Sequence, residues 1–212
     1  MELRLHRGGR FRAWLGARLG GDFELGNRVW RRCLHAIAAA VLVYYLVPEG
    51  FFVVVPKQVV LWGALAAVLV LEGLRHLFGL QLPTIRSYEE ERVGSYVFLA
   101  AAFILAVAFL PEAIAAAVIL GTALVDPLAG ELRSKPRYYP LVPLVAYFAL
   151  AFIGLSLIGG WPAAPSAVLA LVAAPIAVVV ERPKLRWLDD DLVMTFVPAL
   201  ALYLLGVVVL GR

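Results

Sequence analysis

The residues of this chain that could do chemistry are carboxylates that lie beside arginine, lysine and histidine, in the short polar stretches between apolar runs. Carboxylate oxygens are the ligands that Mg²⁺ prefers, and Arg and Lys neutralise the charge of a polyphosphate. These stretches therefore predict a site for a metal ion and a phosphate-bearing ligand. The alternative is a set of solvated loop charges that pair with one another. The candidates are Arg32, His35, Glu72, Arg75, Arg86, Glu89, Glu90, Asp126, Glu131, Arg133, Lys135, Glu181, Asp189, Asp190 and Asp191.

Asp126 is the most informative of these positions. It follows Glu112 by about 15 residues, which span roughly 21 Å as a helix and fall short of a hydrocarbon core of about 30 Å. Acidic residues inside a membrane are costly and are functional candidates. Pro127 and Gly130 follow, so we expect the helix to break after Asp126 and to expose backbone groups that can meet an ion or a phosphate. The alternative is a helix end at which Asp126 pairs with a nearby basic side chain.

Two further acidic groups lie at the ends of apolar runs. Glu72 and Arg75 are three residues apart and share one helix face, so they can pair with each other or jointly face a polar cavity. Asp189, Asp190 and Asp191 precede the last apolar run. Helix caps and the helix dipole account for one or two carboxylates at such a position. Three exceed that need, so this is where a second metal ligand is sought.

Signatures of several common enzyme classes are absent from the sequence. It has no GxxxxGK[ST] phosphate loop, no HExxH, no GxSxG and no GxGxxG that opens a helix. The single cysteine, Cys33, excludes a disulfide within the chain, and the scattered histidines exclude a His/Cys zinc site of usual spacing. A P-loop or α/β-hydrolase mechanism is therefore not supported.

The composition defines the setting of the polar residues. Of the 212 residues, 63% are hydrophobic and 16% charged, and the mean hydropathy is +0.88, unlike a soluble domain. We expect an all-α, polytopic membrane bundle of about seven transmembrane helices, with residues 32–212 forming a single transmembrane catalytic domain and a tight helical hairpin at Pro111. The apolar segments are about 33–48, 58–74, 93–110, 112–129, 139–158, 163–180 and 192–210.

The basic residues predict an orientation. Nearly all of the 19 Lys and Arg residues fall in alternate connections, starting with the N-terminal stretch. The positive-inside rule then places the N-terminus and the polar site in the cytoplasm and the C-terminus outside. Cytoplasmic loops beside anionic lipid also account for the net charge of +4, so no nucleic-acid partner is expected. Residues 1–31 predict a basic amphipathic segment in the membrane interface, with a disordered basic tail as the alternative.

Short motifs along residues 31–205 resemble those of one known family. They are Arg31-Arg32-Cys33-Leu34-His35, Glu72-x-x-Arg75, Arg86-x-x-Glu89 before Gly94-Ser95, Val125-Asp126-Pro127-Leu128-Ala129-Gly130-Glu131, Glu181, and Asp189-Asp190-Asp191-Leu192. In order and spacing they are similar to the motifs of the polyprenol kinase family, which includes dolichol kinase, phytol kinase and CTP-dependent diacylglycerol kinase. Val125 stands where the family has glycine, Asp191 stands where it has asparagine, and a Lys-Ser-x-Glu-Gly block has no clear counterpart here.

The resemblance implies a kinase that uses CTP or another nucleoside triphosphate, with Mg²⁺, to phosphorylate a membrane lipid alcohol such as a polyprenol, dolichol, geranylgeraniol or phytol. It implies that Asp126, Glu131 and Asp190 are the catalytic residues and that Asp126 and Asp190 hold the metal. Asp126 would be a metal ligand or general base, and Glu131 and Asp190 would support the metal or position the hydroxyl. The nucleotide phosphates would be bound by Arg32, His35, Arg75, Arg86, Arg133 and Lys135. The supporting acidic residues would be Glu72, Glu89, Glu90, Glu181, Asp189 and Asp191.

Two other interpretations remain open. A CDP-lipid synthase, which is a cytidylyltransferase, also uses CTP and Mg²⁺, but its closing Lys-Arg-x-x-Lys-Asp run is absent from this chain. A non-enzymatic transporter or scaffold is the alternative of another class. A transporter would carry polar groups near the middle of its spans, where this sequence has mainly Ala, Leu, Val, Ile and Phe. The sequence makes no prediction of the oligomeric state.

Overall fold

The computed structural model describes residues 32–49, 51, 55–79, 92–181 and 189–210, with side chains described as far as residue 206. These residues are helical and include no strand, which confirms the all-α class. The helices are α1 (Arg32–Leu46), α2 (Lys57–Phe78), α3 (Ser95–Phe109), α4 (Glu112–Leu132), α5 (Leu141–Ile158), α6 (Ala163–Val180) and α7 (Asp190–Leu210). The predicted segment 1–31 and the site candidates Arg86, Glu89 and Glu90 lie outside the described residues.

Four of these helices, α2, α4, α5 and α6, are long and apolar enough to cross a membrane. This is compatible with an integral membrane protein. Only Leu110 and Pro111 separate α3 from α4, which confirms the predicted helical hairpin at this point. Proline suits the position before a helix because its missing N–H would have no intrahelical partner there, and Glu112 in the first turn interacts favourably with the helix dipole.

Helix α4 lies at the centre of the bundle. It packs against α1, α3, α5 and α7, and 67% of its apolar window is buried inside the fold. By contrast, α2 packs mainly against α3, and only 11% of its window is buried. The buried face of α4 is rich in alanine, including residues 115–117, and small side chains allow helix backbones to approach closely. This central packing fixes where the end of α4 lies.

A glycine of α5 lies directly against the backbone of α4. α5 is α-helical to Ile153 and continues as a π-helical stretch over Gly154–Ile158. A Cβ atom built on Gly154 would lie 2.5 Å from Cα of Ala117 and 2.7 Å from the carbonyl carbon of Ala116. These contacts are with backbone, which cannot rotate aside. Glycine is therefore required at position 154 by space, since its backbone φ of −59° is ordinary for a helix.

The helix break expected after Asp126 is wrong. α4 continues through Pro127 to Leu132. Proline cannot donate a backbone hydrogen bond to the carbonyl of Ala123, but the packing of α4 on several sides keeps the helix intact across this one missing bond. Asp126 is therefore presented as a side chain on a helix, and its surroundings are other side chains instead of an unwound backbone.

The close packing at Gly154 predicts a large difference between two Gly→Ala substitutions. Gly154→Ala should destabilise the fold by about 1–3 kcal/mol, because the added methyl overlaps the backbone of α4. Gly63→Ala is the matched control: Gly63 is a helical glycine of α2, and a Cβ atom added to it would have no neighbouring atom within 4 Å, so alanine should be neutral or stabilising. Thermal unfolding of the purified protein in detergent measures both. Equal shifts in Tm would contradict the packing argument.

Candidate functional site

Three helices bring together an imidazole and two carboxylates at one end of the bundle. His35 lies in the first turn of α1, Asp126 near the end of α4, and Asp191 in the first turn of α7. His35 Nδ1 is 4.0 Å from Asp126 Oδ2 and 3.8 Å from Asp191 Oδ1. One donor atom of each side chain lies within 4.8 Å of the other two. We refer to His35, Asp126 and Asp191 as the donor triad.

The donor triad is largely shielded from solvent. The side chain of Asp191 is 4% exposed, and those of His35 and Asp126 are 17% and 21% exposed. Among the described residues, Asp191 Oδ1 is buried without a hydrogen-bond partner. A buried carboxylate oxygen without a partner carries a substantial desolvation cost. A positively charged ligand at the triad would offset that cost.

Two threonines lie one helical turn deeper in the bundle than the two carboxylates, and they hold the two helices that carry them. The hydroxyl oxygens of Thr122 and Thr195 are buried and 3.3 Å apart, within hydrogen-bonding distance. Each threonine lies four residues from the aspartate on its own helix, and Thr195 Oγ1 also donates to the backbone carbonyl of Asp191 at 2.7 Å. This contact sets the register of α4 against α7, so that Asp126 and Asp191 end at the same level.

The three aspartates at the start of α7 have different roles in the structure. Asp189 Oδ1 accepts a hydrogen bond from the backbone N–H of Asp191 at 3.2 Å, as a helix N-cap residue does. Burial, and then the negative charge of Asp190, raise the pKa of Asp189 to about 6. Asp191 belongs to the donor triad, and Asp190 does not. The triad thus contains Asp191 beside Asp126, where the family resemblance implied Asp190.

Two arginines near the triad form ion pairs with glutamates. Arg32 pairs with Glu131, with both side chains partly exposed. Arg133 pairs with Glu181, which is 1% exposed and also accepts a hydrogen bond from Tyr139 at 3.2 Å. The two arginine side chains are 41% and 40% exposed, so solvent reaches both. A phosphate could compete for these groups only by replacing part of the existing ion pairs.

Lys135 follows α4 as an exposed residue in the turn before α5. The structure thus places the sequence-predicted basic residues Arg32, Arg133 and Lys135 on segments adjoining the helices of the donor triad. Their long side chains keep solvent access, which a soluble anion would need.

Glu72 and Arg75 form a second buried polar cluster, and the predicted pairing is confirmed. Arg75 Nε lies 2.8 Å from Glu72 Oε2, and one terminal nitrogen of Arg75 lies 2.7 Å from Oε1. The same carboxylate accepts hydrogen bonds from the backbone N–H of Gly94 at 2.9 Å and from the Tyr96 hydroxyl at 2.5 Å. Both oxygens of the Glu72 carboxylate accept hydrogen bonds in these contacts. Because the donors come from both segments, the cluster joins the end of α2 to the start of α3.

The donor triad can be tested for its fit to a metal ion. Two donors bound to one ion at about 2.1 Å can be no more than about 4.2 Å apart. The separations from His35 Nδ1, 4.0 Å and 3.8 Å, satisfy this limit, and the overall limit of 4.8 Å needs only a small side-chain movement. The two carboxylates suit Mg²⁺, whereas the imidazole nitrogen is a ligand of transition metals. The arrangement therefore can hold a divalent cation.

Some features of the site were not found by sequence reasoning. The Thr122–Thr195 contact joins residues far apart in the chain, and neither threonine stands out among apolar neighbours. A signal that could have found them is their spacing, since each lies one turn from a candidate aspartate.

Comparison with known proteins adds no homologue: no family model, no curated protein and no solved structure matches this chain.

The buried Glu72–Arg75 cluster predicts a large loss of stability for Glu72→Gln. The substitution keeps the shape of the side chain but removes the negative charge that pairs with Arg75, which is 4% exposed. Removing one partner of a buried ion pair costs about 3–5 kcal/mol. The free energy of unfolding of the detergent-solubilised protein is the measurement.

The matched control is Glu112→Gln, the same change at an exposed position in the first turn of α4. It should cost a few tenths of a kcal/mol at most, through the helix dipole. If Glu72→Gln were as mild as this control, the cluster would not be the link that joins α2 to α3.

Proposed function

We propose that this chain is a membrane-embedded phosphotransferase that uses CTP or another nucleoside triphosphate to phosphorylate the hydroxyl of an isoprenoid or other lipid alcohol. In this proposal the bundle has seven transmembrane spans, the N-terminus is cytoplasmic, the C-terminus is outside, and the site opens to the cytoplasm, where soluble nucleotide is present. The lipid hydroxyl oxygen bonds to the γ-phosphorus, and the bond between the γ-phosphorus and the oxygen that bridges it to the β-phosphorus breaks. The products are a lipid monophosphate and the nucleoside diphosphate, which is CDP where CTP is the donor.

The observation that carries the proposal is the donor triad, together with two partly exposed arginine side chains, one in the first turn of α1 and one directly after α4. Phosphoryl transfer requires little covalent work from a protein, because catalysis is mainly positioning and neutralisation of developing negative charge. A cation-binding carboxylate pair and exposed arginines supply those two requirements. The motifs similar to those of polyprenol kinases favour a lipid alcohol as the acceptor.

Four residues of the candidate site have defined tasks in this proposal. Asp126, partly exposed on α4, accepts the proton of the lipid hydroxyl or binds the cation. Asp191 supplies a second carboxylate to the cation. The family resemblance implies Mg²⁺, which when bound would neutralise charge on the phosphate oxygens. Arg32 and Arg133 bind the nucleotide phosphates by exchanging their glutamate partners for phosphate oxygens.

The proposal predicts that phosphoryl transfer depends on Asp126. Purified protein with Mg²⁺ should move label from γ-labelled CTP, or from ATP, UTP or GTP, to one of geranylgeraniol, phytol, dolichol or diacylglycerol. Asp126→Asn should lower the rate by at least about a hundredfold, since a carboxylate at the reacting centre is lost without a change of shape. Glu112→Gln, at the other end of the same helix, should keep the wild-type rate.

Other outcomes of this assay point to the competing functions. No labelled lipid under any pairing, with pyrophosphate released from CTP in the presence of phosphatidic acid, would replace the kinase with a cytidylyltransferase. No transfer and no pyrophosphate would leave transport or scaffolding as the better interpretation. Equal rates for Asp126→Asn and the wild type would remove Asp126 from the reaction.

A further inference from the structure

The donor triad contains one group that a magnesium site does not need. Mg²⁺ is bound in proteins through oxygen, usually one or two carboxylates together with waters and phosphate oxygens. His35 instead directs an imidazole nitrogen, Nδ1, to within 3.8 Å and 4.0 Å of the carboxylate oxygens of Asp191 and Asp126. Imidazole suits first-row transition metals. The nature of the third donor therefore carries information about which cation belongs here.

We infer that His35, Asp126 and Asp191 form a binding site for a divalent transition-metal ion of the Mn²⁺, Co²⁺ or Zn²⁺ type, and that His35 makes the site discriminate against Mg²⁺. One nitrogen and two carboxylate oxygens form an incomplete coordination shell, so positions remain open for water or for an oxygen of a ligand. The metal site is inferred from its three donor side chains alone, so it does not require that the chain catalyses phosphotransfer.

The burial of Asp191 is the independent observation that favours a cation-binding site here. Its side chain is 4% exposed, and its Oδ1 atom, 3.8 Å from His35 Nδ1, has no hydrogen-bond partner among the described residues. The N-terminus of α7 favours a carboxylate here, but the N–H of Asp191 is already bonded to Asp189. A bound metal ion is a partner of the right charge for an oxygen in this position.

An ion pair without a metal is the competing explanation of the same cluster. A protonated His35 would be expected to donate a short hydrogen bond, of about 2.7–2.9 Å, to one of the two carboxylates. The two separations are instead 3.8 Å and 4.0 Å, which are too long for a hydrogen bond and still short enough for an ion between the groups. The separations therefore fit a cation bound between the three groups better than a hydrogen bond from His35 Nδ1 to either carboxylate.

Cobalt binding tests this inference directly. The full chain, purified in detergent without a histidine tag and stripped of metal, is titrated with Co²⁺ while its visible d–d absorption is recorded, and bound cobalt per chain is counted by elemental analysis. We expect one Co²⁺ per chain and an absorption change that a hundredfold excess of Mg²⁺ does not reverse. The Mg²⁺ competition uses the unaltered chain, so it does not depend on any variant folding.

Two variants assign the ligand. His35→Gln should weaken Co²⁺ binding by at least about tenfold and shift the d–d bands, because loss of a direct ligand exceeds the effect of losing a supporting group. His76→Gln is the matched control, since His76 lies beside Glu72 and is 41% exposed. It should leave the Co²⁺ affinity and the bands unchanged.

Three results would overturn the inference: no Co²⁺ bound by the unaltered chain, displacement of Co²⁺ by an equal concentration of Mg²⁺, or an unchanged Co²⁺ affinity in His35→Gln. The outcome of the lipid phosphorylation assay is independent of the outcome of the cobalt titration. Cobalt binding with no phosphoryl transfer in the presence of either Mg²⁺ or Co²⁺ would keep the metal site and remove the kinase, whereas transfer with Mg²⁺ and no cobalt binding would keep the kinase and remove the metal site.

Discussion

The packing of neighbouring helices around α4 is the constraint on which the rest of the structure depends. Most of this helix is buried, and its alanine-rich surface lets α5 approach until the glycine at position 154 meets its backbone. A helix held from several sides cannot shift or unwind easily, so it remains regular even across an internal proline. The position of Asp126 is therefore set by contacts along the whole length of α4 and not by the loop that follows it.

The second constraint is electrostatic. Two carboxylates close together and partly out of water repel each other more strongly than they would in solution. The threonine contact one turn away holds their helices in register by neutral hydrogen bonds, so it adds no charge that would relieve this repulsion. Arg32 pairs with Glu131, and Arg133 pairs with Glu181. A cation bound at the donor triad would lower the repulsion between its two carboxylates.

The sequence predicts the local features of this structure better than the non-local ones. Apolar runs predict the helices, and the three-residue spacing of Glu72 and Arg75 predicts their pairing, because both signals lie within one segment. Asp126 stands out by its distance from the preceding charged residue, Glu112. Which of the three aspartates belongs to the donor triad depends on which one caps α7. Because the three residues are identical and consecutive, the sequence could not show that Asp191, and not Asp190, is the member. The partners Gly94 and Tyr96 come from another helix and could not be read from spacing.

The donor triad draws on helices that begin at residues 32, 112 and 190, which gives the site a high contact order. His35 is synthesised long before the third donor, and the three side chains meet only after α7 has packed against α4. A chain interrupted during synthesis, or one whose α7 has not yet docked, would contain helices but no assembled triad. Assembly of the triad is thereby coupled to the completion of folding, because in a partly assembled chain the three donors have not yet met.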